Sequence, residues 1–349
     1  MSKNFDINTL VRPNVAKLTP YSSARDEFTD FEKDMVFLDA NENPFNSDAN
    51  RYPDPHQVNL KQHLSSVKRV PVDQILLGNG SDEILDLIYR AFLEPGEDAI
   101  ITTPPTYGMY SVLANINNVE DKKVLLTSDF QLDVDGILAA ANEKTKLLLL
   151  CSPNNPSGNL LNQADIERLL NEFNGLVLID EAYIDFAKAE SWSTRLQDFP
   201  NLIISQTLSK AYGLAGIRLG ICYASAEIIA VLNKIKPPYN VNSLTQTRAL
   251  QRVLKQAEVE QEVKTILEER DALMAELEKL DIVSKVFPSD SNSILLRVDD
   301  ANKRYAEFIE LGVVVRNRSS QPHCENCLRI TVGTPEENKK LIEAFKKLS

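Results

Sequence analysis

Residues 147–180 read LLLLCSPNNPSGNLLNQADIERLLNEFNGLVLID. The run 147–151 is apolar throughout rather than alternating, as in a strand covered on both faces. A turn of Ser, Pro, Asn and Gly follows at 152–158. Residues 163–173 then carry apolar positions at helical spacing, and a second apolar run, 176–179, ends in Asp180. Strand, turn, helix and strand in this order predict part of a mostly parallel sheet with helices packed against it. Similar runs occur at 75–77, 99–101, 124–126, 202–205 and 219–223. Residues 81–93 predict a helix, with Ser81 or Asp82 as its N-cap and Pro95-Gly96 just past its end. Together these segments predict an α/β domain of about 200 residues, by the alternation of strands and helices.

From 255 to 280 the pattern changes. Val259, Val263, Ile266, Leu267, Met274, Leu277 and Leu280 recur at helical spacing among charges, which predicts one long amphipathic helix connecting two domains. Beyond it, strands at 293–298, 313–316 and 328–332 and helices at 301–311 and 335–348 predict a smaller α/β domain. The expected division is a large domain over 47–261, with 1–46 and 262–349 forming an N-terminal arm plus the small domain. The arm is expected to pack on the small domain or on a partner subunit.

Of the 349 residues, 43% are hydrophobic and 25% charged, so a sizeable core is available. The net charge of −12 repels phosphate backbones and anionic lipid, which argues against nucleic-acid and membrane partners. No run reaches the ~18 apolar residues of a membrane helix. Residues 1–11 have no apolar stretch of the signal-peptide kind. Cys151 and Cys222 read as reduced core residues, and the expected compartment is the cytoplasm.

Three polar groups follow three of the apolar runs: Asn155, Asp180 and Lys210. In parallel sheets ligands bind beyond the carboxyl ends of the strands. Singly, each has a plainer reading, as a turn residue, a helix cap or a solvated lysine. Asp180-Glu181 after an apolar strand also matches a nucleoside-triphosphatase strand, but that needs a Gly-Lys pair, which the chain lacks. Thr207 and Ser209 flank Lys210, and Arg218 follows among glycines, a combination suited to a phosphate. Gly78-Asn79-Gly80-Ser81-Asp82 precedes a helix, whose free N–H groups favour an anion. It lacks the third glycine of the dinucleotide fingerprint. His323, Cys324 and Cys327 make at most half a zinc site, with no second pair, so no metal is expected.

These segments resemble the fold-type I pyridoxal-phosphate aminotransferases, and within them the histidinol-phosphate aminotransferase branch. The resemblance rests on Leu38-Asp39-Ala40-Asn41-Glu42-Asn43-Pro44, Arg51-Tyr52-Pro53-Asp54, residues 78–83, 152–158, 180–183 and 207–220, and Leu328-Arg329-Ile330-Thr331-Val332-Gly333. It implies a pyridoxal 5'-phosphate cofactor held as a Schiff base on Lys210. It further implies Asp180 at the ring nitrogen, Tyr183 and Asn155 at the ring hydroxyl, and Tyr107 stacked on the ring. Gly80, Ser81, Asp82, Thr207, Ser209 and Arg218 would surround the cofactor phosphate, and Tyr52 would reach the phosphate site of a neighbouring subunit in a homodimer. Arg316, Arg329, Tyr21 and Asn43 would bind substrate. The implied reaction is amino exchange between L-histidinol phosphate and 2-oxoglutarate. Aromatic amino-acid aminotransfer and threonine-phosphate decarboxylation are the rival reactions. A pyridoxal-binding transcriptional regulator would need a helix-turn-helix unit, which the ~70 residues before the sheet do not contain.

Overall fold

The computed structural model describes residues 5–25 and 35–348. Part of the N-terminal arm expectation therefore lies outside the described residues. The strands are β1 (Ile75–Asn79), β2 (Ala99–Thr102), β3 (Glu120–Lys123), β4 (Thr145–Cys151), β5 (Leu176–Asp180), β6 (Leu202–Thr207), β7 (Leu219–Ala224), β8 (Val283–Val286), β9 (Ser293–Val298), β10 (Arg316–Asn317) and β11 (Cys327–Thr331).

The first seven form one sheet in the order β1-β7-β6-β5-β4-β2-β3. Every neighbouring pair is parallel except the two that involve β7, so β7 alone runs against the rest. Alternate residues of the buried strands serve two cores. Leu148, Leu150, Val177 and Ile179 join the cluster on one face, whereas Leu147, Leu149, Leu176 and Leu178 join the other. Two-sided burial is why these runs carry no polar alternation.

The remaining four strands form an antiparallel sheet, β10-β11-β9-β8, with its own core around Leu296, Phe308, Leu328 and Phe345. The helix Gln256–Leu277 connects the two sheets as the periodicity predicts. Val259 near its start packs in the large-sheet core, and Leu273 and Leu277 near its end pack in the small-sheet core. No described helix is long and apolar enough to cross a membrane.

The structure corrects four expectations. Residues 124–126 are not a strand: the strand is β3, a charged edge just before them, while Leu126 is buried against the core. Polar edge strands escape a search for apolar runs. The strand expected at 313–316 is the two-residue β10, and Val315 instead packs into the small core. The helix Ser81–Phe92 is capped by Gly80, with no side-chain cap bond, so Ser81 and Asp82 are its first residues rather than its cap. Leu10, Val11 and Val15 of the arm pack on the large sheet, and the Arg12 N–H donates to the Ala91 carbonyl at 3.0 Å.

Candidate active site

The carboxyl ends of β4, β5 and β6 lie side by side, because Cys151 is opposite Asp180, and Asp180 opposite Ser205. β7 runs the other way, so its first residues lie at the same edge: Gly220 is opposite both Thr207 and Gly78. Register alone therefore gathers the loops after four strands, and the residue before β7, around one cleft. Ser81, Asp82, Tyr107, Asn155, Asp180, Tyr183, Thr207, Ser209, Lys210 and Arg218 all line it.

At one end stands Asp180, 3% exposed. The Tyr110 hydroxyl donates to its Oδ2 at 2.8 Å and the Ala182 N–H to its Oδ1 at 3.1 Å. Burial pushes its pKa up to about 6, against the pull of the Tyr110 hydrogen bond. Lys210 reaches solvent through the cleft, with its Nζ 5.5 Å from the centre of the Tyr183 ring. Desolvation, then the Arg329 charge, lowers its pKa, while Asp180 opposes the shift. The arrangement favours a lysine that sheds its proton more readily than a free one.

The other end suits an anion. A Cβ on Gly80, whose φ is +77°, would lie 2.6 Å from Arg218 Nη2. A Cβ on Gly220 would lie 2.4 Å from both the Gly80 carbonyl carbon and the Ser81 nitrogen. Two strands thus press backbone against backbone where the helix Ser81–Phe92 begins. That helix presents free N–H groups and the positive end of its dipole to the cleft. The Thr207 hydroxyl donates to the Leu219 carbonyl and accepts from the Ser209 N–H, each at 3.1 Å. Ser209 Oγ is buried without a partner. Asp82 is held by the Tyr107 hydroxyl at 3.0 Å and by Arg218 at 3.5 Å.

A ring with a phosphate at one end and a basic nitrogen at the other fits these groups. The unpartnered Ser209 hydroxyl, the helix start and Arg218 meet the phosphate, and Asp180 the nitrogen. The residues thus match pyridoxal 5'-phosphate on donor chemistry as well as on motif.

From the second sheet, Arg329 on β11 reaches across to Asn155, donating from Nη1 to Oδ1. Arg316 is opposite Arg329 on β10 and is exposed. The structure does not bring Tyr21, Asn43 or Tyr52 to this cleft. Tyr21 is 77% exposed beside Pro55 and His56. Asn43 is exposed and accepts from the Phe45 N–H. Tyr52 stacks on Tyr239, with ring centres 4.4 Å apart. Sequence reasoning passed over Tyr110, which touches Asp180 directly. The available signal was its position three residues after Tyr107, which puts both rings on one side of the segment; they meet edge to face at 5.5 Å.

Comparison with known proteins bears on the family and the fold. The chain is 59% identical to the histidinol-phosphate aminotransferase of Flavobacterium johnsoniae, over 99% of both chains. It is 54% identical to that of Bacteroides fragilis, over 98% of this chain and 99% of the other. The solved histidinol-phosphate aminotransferase of Clostridium acetobutylicum shares the fold with a TM-score of 0.79 at 23% identity, covering 86% of this chain and 91% of its own. The family model for aminotransferase class I and II matches residues 33–345, and the chain belongs to that family.

Proposed function

We propose that this chain exchanges an amino group between L-histidinol phosphate and 2-oxoglutarate, giving imidazole acetol phosphate and L-glutamate, with pyridoxal 5'-phosphate as cofactor in histidine biosynthesis. The observation that carries the reading is the cleft itself, where Lys210 and Asp180 stand together beside a backbone cradle fit for phosphate. Full-length relatives at 54% and 59% identity that bear the histidinol-phosphate name support the substrate.

When bound, the cofactor supplies an aldehyde that condenses with amines and a ring that takes up the electron pair left at the substrate's α-carbon. The protein's residues do the rest. Lys210 Nζ would hold the cofactor's aldehyde carbon and, as a free amine, would carry a proton to and from the substrate's α-carbon. The lowered pKa of that amine suits both steps, since only the neutral form accepts a proton. Asp180 holds a proton on the ring nitrogen, with Tyr110 and the Ala182 N–H keeping its oxygens in place. Tyr183 and Asn155, which line the cleft, would orient the cofactor's ring hydroxyl, and Tyr107 would bind beside the ring. Gly80, Ser81, Asp82 through its N–H, Thr207, Ser209 and Arg218 hold the phosphate. Arg329 and Arg316 hold the far anion of the substrate, with Tyr21 and Asn43 beside it.

The same reading makes the protein a cytoplasmic homodimer. Tyr52 is 51% exposed and lies outside its own chain's cleft, which supports a role at a partner's phosphate site. The proposed division is a large domain over 47–261 against an N-terminal arm, 1–46, and a small domain, 262–349, with the two domains joined through the helix Gln256–Leu277 and Leu10, Val11 and Val15 of the arm packed on the large sheet.

Lys210→Ala is the direct test. The variant should lose the visible absorbance of the bound cofactor and all turnover of histidinol phosphate. Normal activity in that variant refutes the assignment. Steady-state assays with histidinol phosphate, phenylalanine and O-phosphothreonine separate the proposed reaction from aromatic aminotransfer and from decarboxylation.

A further inference from the structure

Arg318 has no role in the reading above, yet its surroundings call for one. Its N–H donates to the Cys327 carbonyl at 2.9 Å, continuing the pairing in which Arg316 is opposite Arg329. Side chains alternate along a strand, so Arg316 and Arg318 leave β10 and its extension on the same face as Cys327 and Arg329. That face looks toward the large sheet. Cys327 packs in the large-sheet core, whereas Leu328 and Ile330, on the opposite face, pack in the small-sheet core. Arg329 accordingly reaches Asn155 at the cleft. One hairpin therefore presents three guanidinium groups to one side of the site.

Among the described residues none of the three is neutralised: no carboxylate there pairs with Arg316, Arg318 or Arg329. Arg318 Nε is buried and has no hydrogen-bond partner. A buried donor without an acceptor is unfavourable, and so are like charges held close together. Burial first, then Arg329 and Arg316, depresses the pKa of Arg318, which is the electrostatic signature of that crowding. An arriving anion relieves both penalties, and the more charge it brings the more it relieves.

The anions proposed for this site differ in this respect. A phosphate monoester carries about −1.5 to −2 charges near pH 7 and three acceptor oxygens. A carboxylate carries one charge and two oxygens, which a single guanidinium fork satisfies. We infer that Arg318 is the specificity-determining residue that favours a phosphate monoester over a carboxylate in this cleft, its Nε–H and fork taking phosphate oxygens that Arg329 and Arg316 leave free. The inference rests on the reading that one site accepts both substrates in turn.

The test uses the holoenzyme and Arg318→Gln, which keeps a polar side chain as far as the Nε position and removes the charged fork. Inorganic phosphate is the probe, as a competitor of the glutamate half-reaction, alongside KM values for histidinol phosphate and for glutamate. The inhibition constant for phosphate and the KM for histidinol phosphate should each rise about tenfold or more, the loss expected for a charge-assisted hydrogen bond. The glutamate half-reaction should shift by less than about threefold, since the Arg329 fork remains. Arg318→Lys, which restores charge without the fork, should recover part of the phosphate inhibition and covers the case of a Gln variant that fails to fold. Unchanged phosphate inhibition in both variants overturns the inference, and so does an equal loss for phosphate and glutamate. If the wild-type protein does not turn over histidinol phosphate, the functional reading fails instead, and phosphate inhibition still decides the part played by Arg318.

Discussion

At the scale of single residues, Tyr110 governs how Asp180 behaves. Both are buried, and the hydroxyl donates to the carboxylate across 2.8 Å. A hydrogen bond to the charged form lowers a carboxyl pKa, and burial raises it. The balance stands at about 6, so at neutral pH the carboxylate is largely ionised and able to hold a proton on a ring nitrogen. Tyr110→Phe removes the lowering contribution and leaves the burial, so the pKa must rise. The acidic limb of the kcat/KM profile should move to higher pH, with a loss of about tenfold at pH 7 from one missing hydrogen bond to a charged group. A pH titration of activity and of the bound cofactor's absorbance reads the shift; an acid limb that stays in place removes Tyr110 from the account. That Asn155, Asp180 and Lys210 would share one cleft was legible in the sequence, because each follows an uninterrupted apolar run. Tyr110 was not, since a second aromatic three positions along usually marks a core stripe. Tyr21, Asn43 and Tyr52 lie away from the cleft of their own chain, and a motif in one chain does not say to which subunit's site it belongs.

Among the elements, the helix Gln256–Leu277 was the easiest to read and the most consequential for the architecture. Its apolar positions change allegiance along its length, from the large-sheet core at Val259 to the small-sheet core at Leu273 and Leu277. Leu277 is fully buried. Leu277→Ala should therefore destabilise the small-sheet core by about 2–4 kcal/mol, the usual cost of emptying such a site. Urea unfolding followed by Trp192 fluorescence, which reports the large-sheet core, and by far-UV circular dichroism measures it; a change below about 0.5 kcal/mol, typical of surface substitutions, would mean that the helix end does not pin the small sheet. The elements that were misread share one cause. β3 is made of Glu, Asp and two Lys at the sheet edge, and β10 is only two residues long. Apolar periodicity reports burial, and neither strand is buried enough to carry it. The nearby apolar residues Leu126 and Val315 are buried as coil, which the same periodicity reads as strand.

For the whole molecule, the open question is how many chains complete one site. If Tyr52 serves the cleft of a partner, two inactive variants should rescue each other. Lys210→Ala supplies an intact Tyr52, and Tyr52→Ala supplies an intact Lys210. A dimer formed from one of each contains one complete site, so mixing and re-equilibrating the two should restore turnover that neither shows alone. Native mass spectrometry of the mixture, which separates the intermediate mass of the mixed dimer from the two parent masses, establishes that hybrids have formed. Hybrids without activity would mean that Tyr52 acts within its own chain or not at all. This level was the least legible in the sequence, because the residues around Tyr52 are mostly exposed and polar and carry no periodicity that names what covers them.

The contact of Gly220 with Gly80 and Ser81 also has a bearing on inheritance. Any missense change in a glycine codon adds at least one carbon, and at position 220 that carbon has nowhere to go. Every single-step mutant there must push the Gly80-Ser81 backbone aside, so the gene has no gradual route by which to change this position.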